Sequence, residues 1–274
     1  MLDALQRMVR QAGYGTDVQT FFVFFALIFA RLATALSMSP FLGGQSVPGR
    51  VKTGLAVAIA AVIYPGLSLQ APAQPLASIE FVSLAIKEVV IGAVLGLVSQ
   101  MVFFAVQSAG ILIDTQRGMN QMNFVAPQLP GNVSILGSLK FQAALTLFLT
   151  LNGHLFFINA LQRSFVILPA TQFPHLSRGV IPLADQFARL TSDVFVIGLQ
   201  LSAPVLVALF LIDVAFGAIG KVAPQINVHS ESQPVKALAG LGVFLLASSV
   251  LLDRYREFFE RMIASVYQTM RAWG

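Results

Sequence analysis

An all-α fold, a multi-helix membrane-associated bundle with long, kinked helices and a C-terminal helical hairpin, is what this 274-residue sequence predicts. Three observations predict it. Hydrophobic residues make up 56% of the chain and charged residues 11%, against roughly 25% charged in a soluble domain. The mean hydropathy is +0.78. The apolar residues gather into six runs, at about 18–38, 54–69, 76–113, 135–168, 194–220 and 237–252. Backbone placed in lipid must bond to itself, so such runs read as helices. No stretch alternates with strand period for long enough to suggest a barrel.

The opening stretch, MLDALQRMVRQAGYGTDVQ, is amphipathic: Leu2, Leu5, Met8 and Val9 share one helical face, with Arg7 and Arg10 elsewhere. It does not read as a secretory signal, because the apolar run that follows is too long for a signal core. The run at 18–38 has the length of one span, about 20 residues. Those at 54–69 and 237–252 are short. Those at 76–113 and 135–168 exceed one span, so each is a long or kinked helix, or two helices in contact. Gly and Pro mark the joints: SPFLGGQSVPGR at 39–50, QAPAQP at 70–75, VAPQLPGN at 125–132, then Pro169, Pro174 and Pro182. Past Leu252, Tyr255, Phe259, Met262, Val266 and Trp273 keep a three-four spacing among Asp253, Arg254, Arg256, Glu257, Glu260 and Arg261. This predicts that the last helix continues onto water, a partner or the lipid surface. The chain thus divides into an N-terminal helical part, 1–190, and a C-terminal hairpin with an amphipathic extension, 191–274.

Composition excludes several functions. The net charge of +5 is spread without a basic block, so no nucleic-acid-binding face is predicted. With no cysteine, there is no thiolate nucleophile and no cysteine-held metal. His154, His175 and His229 lie in separate regions, and neither H-E-x-x-H nor G-x-S-x-G occurs. His229 and Glu231 are two ligands, too few for a metal site. No catalytic, cofactor or metal residue is assigned, and the chain reads as a non-enzyme. Gly92 and Gly96 form a small-x-x-x-small motif, read as helix packing.

Charges inside the apolar runs carry more information. Arg31, the Lys87–Glu88 pair and Asp213 have apolar neighbours. A charge at mid-bilayer costs about 2.5–3.5 kcal/mol, so these residues are predicted to be buried against a bundle interior, a partner or water. For Lys140, snorkelling to the interface is an equal reading. No second carboxylate or histidine sits one turn from Asp213, so no proton relay is predicted. Two polar breaks interrupt the apolar pattern. One, residues 113–134, holds Gln116, Met119, Gln121, Met122, Asn123 and Phe124; amides and methionines together suit a flexible plug, wet on one side and packed on the other, although an exposed loop has the same composition. The other, KVAPQINVHSESQPVKA at 221–237, joins two apolar runs. Pro224 and Pro234 are predicted to bracket it, since proline disfavours helix in the residue before it.

Three ordered segments resemble the FliR/SctT family, the export-gate subunit of flagellar and injectisome type III secretion systems. The first runs through Arg31, Pro40, Phe41, Gly43, Val47, Pro48, Arg50 and Lys52. The second runs through Glu88, Gly92, Gly96, Ala109, Gly110, Asp114, Gln116 and Gly118. The third runs through Gly217, Lys221, Pro224, Gln225, Asn227, Val228, Pro234 and Lys236. Lys221 stands where the family usually has Arg, and His229 where it has Phe. The resemblance implies a multi-pass protein of the bacterial inner membrane that helps form the pore through which unfolded secreted proteins pass. It implies as partners the FliP/SctR-like and FliQ/SctS-like membrane subunits and the FlhB/SctU-like switch subunit. It also implies a pore plug at 116–132, and a cytoplasmic-mouth turn at 221–236 that includes Lys221, Pro224, Gln225, Asn227, Glu231, Pro234 and Lys236. A six-span reading of the charge bias would put that turn outside; the resemblance puts it inside and takes precedence, because the bias is small and six apolar runs need not be six spans. A small-solute transporter is the competing reading, but no internal repeat of the transporter kind is present.

Overall fold

The computed structural model describes residues 18–44, 47–67, 70–71, 77–119, 134–174, 181–225 and 227–273. Among them are eight helices: α1 (Val18–Met38), α2 (Pro40–Gly43), α3 (Gly49–Leu67), α4 (Ser78–Gln116), α5 (Ile135–Thr150), α6 (Gly153–Ile167), α7 (Ile181–Val222) and α8 (Val228–Trp273). The amphipathic face predicted at 2–9 lies outside the described residues, as do Gln121, Met122, Asn123 and Phe124 of the predicted plug.

The breakers act as their chemistry requires. Pro40 opens α2 behind an extended Ser39 (φ −71°, ψ 135°), a place where its missing N–H costs nothing. Pro65 stands two residues before the end of α3. The run at 135–168 is two helices, α5 and α6, bent by 72°. The bend falls at Asn152, whose φ of 58° is left-handed, a conformation asparagine tolerates better than most residues. The run at 76–113 is one helix of 39 residues, about 58 Å long at 1.5 Å per residue and so about twice the hydrocarbon thickness of a bilayer.

Among the described residues, four helices, α1, α3, α4 and α7, are long and apolar enough to cross a membrane, and the α5–α6 pair makes a fifth if taken as one bent span. The run at 237–252 belongs to α8, which is 46 residues long, and Lys236 and Asp253 flank its apolar stretch.

The helices assemble into two compact units. The first takes the described parts of Met1–Gln100, Asn152–Ala188 and Met262–Gly274. Its core holds Phe24, Leu27, Ile28, Leu32, Ala35 and Leu36 of α1, with Leu95, Phe157, Leu161 and Phe165. Gly92 and Gly96 seat α4 on α1: a Cβ on Gly92 would collide with the Arg31 carbonyl, and one on Gly96 would lie 2.7 Å from the Ala35 oxygen. The second unit takes the described parts of Met101–Leu151 and Arg189–Arg261. Phe103, Phe148 and Phe259 centre it, with ring centroids 5.1–5.6 Å apart. A Cβ on Gly110 would meet the backbone of Leu136 and Gly137, so α4 and α5 touch there backbone to backbone.

Candidate functional site

The first unit encloses a charged cluster. Arg31 and Glu88 are fully buried and Lys87 is nearly so. Arg31 donates from Nε and Nη2 to the two Glu88 oxygens, Nη2 at 2.9 Å. Its Nη1 donates to Ser164 Oγ at 3.0 Å, and Nη2 also donates to the Leu168 carbonyl at 2.8 Å. The guanidinium lies 4.1 Å from the Phe165 ring centroid. Lys87 Nζ stands 2.7 Å from Glu88 Oε1, the oxygen that also accepts from Arg31 Nη2, and donates to the carbonyls of Pro169, Ala170 and Gln172 at 2.8–3.0 Å. Two cations, one anion and four carbonyls of the segment after α6 therefore form one satisfied network. Such networks position the elements they join, because removing one partner strands the others in a low dielectric.

The second unit holds the base of the polar break at 113–134. Asp114, buried near the end of α4, accepts from Arg117 Nη1 at 3.2 Å, Ser134 Oγ at 2.7 Å and the Leu136 amide at 2.9 Å. Ser134 is the N-cap of α5 and accepts from the Gly137 amide at 2.8 Å. One carboxylate thus ties the end of α4 to the start of α5, aided by the positive end of the α5 dipole. Arg117 reaches on to α8, donating from Nε and Nη2 to the Ala237 carbonyl at 3.2 and 2.7 Å. Gly240 makes room, since a Cβ there would lie 2.7 Å from Arg117 Cδ. Gly118 takes φ 74°, and a Cβ on it would strike the Gln233 side chain. The two polar breaks that the sequence treats separately are therefore joined: the base of one is bonded to the α8 helix of the other. Of the predicted plug, Gln116 is exposed and Met119 is half-buried.

At the second break the structure corrects three expectations. The turn is shorter than 221–236: α7 ends at Val222 and α8 begins at Val228. Pro234 stands inside α8 rather than at its start, and Glu231 and Lys236 are helical residues. The α8 terminus instead starts at Asn227, whose Oδ1 accepts from the Ser230 amide at 3.4 Å. That capping bond lets the helix begin ahead of the proline. Lys221, Pro224, Gln225 and Asn227 are exposed around the turn, and Lys236 is buried and paired with Asp213. Asp213 itself is not buried; its side chain is 45% exposed, on a stretch of α7 that the described residues leave uncovered. Lys140, by contrast, is 1% exposed. It donates to the Leu201 carbonyl at 3.2 Å and lies 5.6 Å from the Phe244 ring, which decides against snorkelling. Arg117, Gln233 and Gly240 had no signal of their own in the sequence. Asp114 and Gly118 did, as motif positions.

Residues 22–262 match the family described as bacterial export proteins, family 1. The chain belongs to this export-protein family. It is 32% identical to the flagellar biosynthetic protein FliR of Escherichia coli (strain K12), covering 88% of each chain. It is 31% identical to FliR of Pectobacterium carotovorum subsp. carotovorum, covering 88% of this chain and 89% of that one. The Yop proteins translocation protein T of Yersinia pestis is 30% identical, covering 79% of this chain and 83% of that one. With its long apolar helices, this export protein is a multi-pass inner-membrane component of a type III secretion export apparatus. The residues of the resemblance acquire places in the export-protein fold. Arg31 of the first segment bonds Glu88 of the second, and the second ends in the Asp114–Gly118 clamp.

Proposed function

We propose that this subunit acts without catalytic chemistry of its own, lining the export pore and carrying part of its closed gate, with unfolded secreted proteins as cargo. Its partners in this reading are the FliP/SctR-like and FliQ/SctS-like membrane subunits and the FlhB/SctU-like switch subunit. The plug is residues 116–132, including Gln121, Met122, Asn123 and Phe124. The mouth contact is the turn around Lys221, Pro224, Gln225 and Asn227, with Glu231 on the first turns of α8. The division into an N-terminal part, 1–190, and a partner-like hairpin, 191–274, belongs to the same reading.

The observation that carries it is the Asp114 clamp. A segment that must leave and re-enter a pore needs fixed ends, and Asp114 bonds residues at both of its ends. Arg117 extends that fixing to α8 through Ala237, so a partner pulling on the turn acts on the helix that holds the plug's base. The test is deletion of residues 119–124 in the co-expressed complex. The complex still assembles and the cell membrane becomes leaky to small ions and dyes. Unchanged permeability in an assembled complex overturns the plug.

A further inference from the structure

Within the first unit, α6 and the end of α8 enclose a groove of about 790 Å³ that the export reading does not use. Its polar lining is Asn159, Arg163, Tyr267, Gln268 and Arg271. Each of these side chains carries N–H or O–H donors, and among the described residues no carboxylate lines the groove. Arg163 and Arg271 are exposed, and neither has a carboxylate partner among the described residues. The Arg163 guanidinium sits 6.0 Å from the Tyr267 ring centroid, which orients it across the groove. The remaining wall is apolar: Leu155 and Phe156 are 55% and 58% exposed. They stand on α6, half of the bent pair apolar enough to cross a membrane.

We propose that this groove binds the phosphodiester of an anionic phospholipid. The two guanidiniums hold the phosphate oxygens, for which their forked donors are matched, and the amides and phenol complete the headgroup shell. Leu155 and Phe156 take the first methylenes of an acyl chain. Two unpaired arginines would attract any phosphate; the exposed apolar wall on a candidate membrane helix selects a lipid. Basic pockets between membrane helices are a recurring form of such sites.

The test titrates the full chain, within its co-expressed complex in detergent, with phosphatidylglycerol, phosphatidylcholine and inorganic phosphate, read by native mass spectrometry. Phosphatidylglycerol is retained in preference to phosphatidylcholine, and equimolar phosphate does not displace it. The Arg163→Gln/Arg271→Gln double variant binds phosphatidylglycerol roughly 25-fold more weakly, about fivefold for each arginine. Both residues are exposed, so folding tolerates the change. If the double variant fails to assemble, Leu155→Gln serves, and it too loses phosphatidylglycerol. Equal phosphatidylglycerol affinity in variant and wild type overturns the proposal. So does displacement by phosphate alone, or loss of a protein subunit with the lipid retained, which would make the groove a protein interface.

Discussion

Glu88 is the anion shared by two buried cations, Arg31 and Lys87. The three residues are therefore not equivalent. Arg31→Ala leaves Glu88 with Lys87 as counter-ion, whereas Glu88→Ala leaves both cations in the interior with only neutral partners, the backbone carbonyls, the Ser164 hydroxyl and the Phe165 ring. Stranding a buried charge costs about 3–5 kcal/mol, so Glu88→Ala lowers the amount of folded protein more than Arg31→Ala does. Thermal inactivation of the two purified variants, side by side, checks the order; the reverse order would mean that the Arg31 bonds to Ser164 and Leu168 outweigh the ion pairs. Tyr255 makes a second residue-scale prediction. It is buried, and burial pushes its phenol from 10.0 up to about 12. The folded chain holds this proton more tightly than the unfolded chain. The contribution to stability is complete below pH 10 and is lost as pH rises toward 12. The free energy of unfolding, followed between pH 9 and 12, therefore falls more steeply for the wild type than for Tyr255→Phe.

At the scale of elements, the α7–α8 turn invites a topological measurement. The chain has no cysteine, so one introduced thiol is unique. Ser230 is exposed, but Ser232 is buried and donates to the His229 carbonyl at 3.0 Å. Ser230→Cys is thus the probe and Ser232→Cys its unreactive control. If the turn is the cytoplasmic mouth, an impermeant thiol reagent labels position 230 from inside-out vesicles and not from outside the cell. Labelling from outside would reverse the assigned orientation. Asn227 is less suited to a test of partner contact, because its side chain caps α8, and losing a cap costs about 1 kcal/mol whatever the partner does.

For the whole molecule, the decisive feature is surface. Ile79, Phe195, Val222, Leu238 and Leu246 are each 74–88% exposed, in helices whose length exceeds what lipid alone covers. Large apolar side chains exposed to this degree on long apolar helices need lipid or protein against them. Expressed alone in mild detergent, the chain runs as aggregate or is degraded; co-expressed with its neighbouring membrane subunits, it elutes as one complex. A long-lived, monodisperse monomer by size-exclusion chromatography would show that partner surface is not required.

The sequence by itself determined the all-α membrane class, because hydropathy and the need to satisfy backbone groups in lipid act locally. It determined the family as well, because Arg31, Glu88, Gly92, Gly96, Asp114 and Gly118 stand in order along the chain. It marked Arg31, Lys87 and Glu88 as buried charges from their apolar neighbours alone. Only the tertiary structure decided which charges were paired and which were covered. Asp213 and Lys140 have equally apolar neighbours, yet one is half exposed and the other sealed, since burial depends on what packs against a helix face from elsewhere in the chain. The start of α8 ahead of Pro234 also lay beyond local reading, where a proline signals a boundary and an asparagine cap seven residues earlier does not. The bond from Arg117 to Ala237 joins residues 120 positions apart; no periodicity or motif spacing carries such a contact, which exists only because folding brings α4 and α8 together.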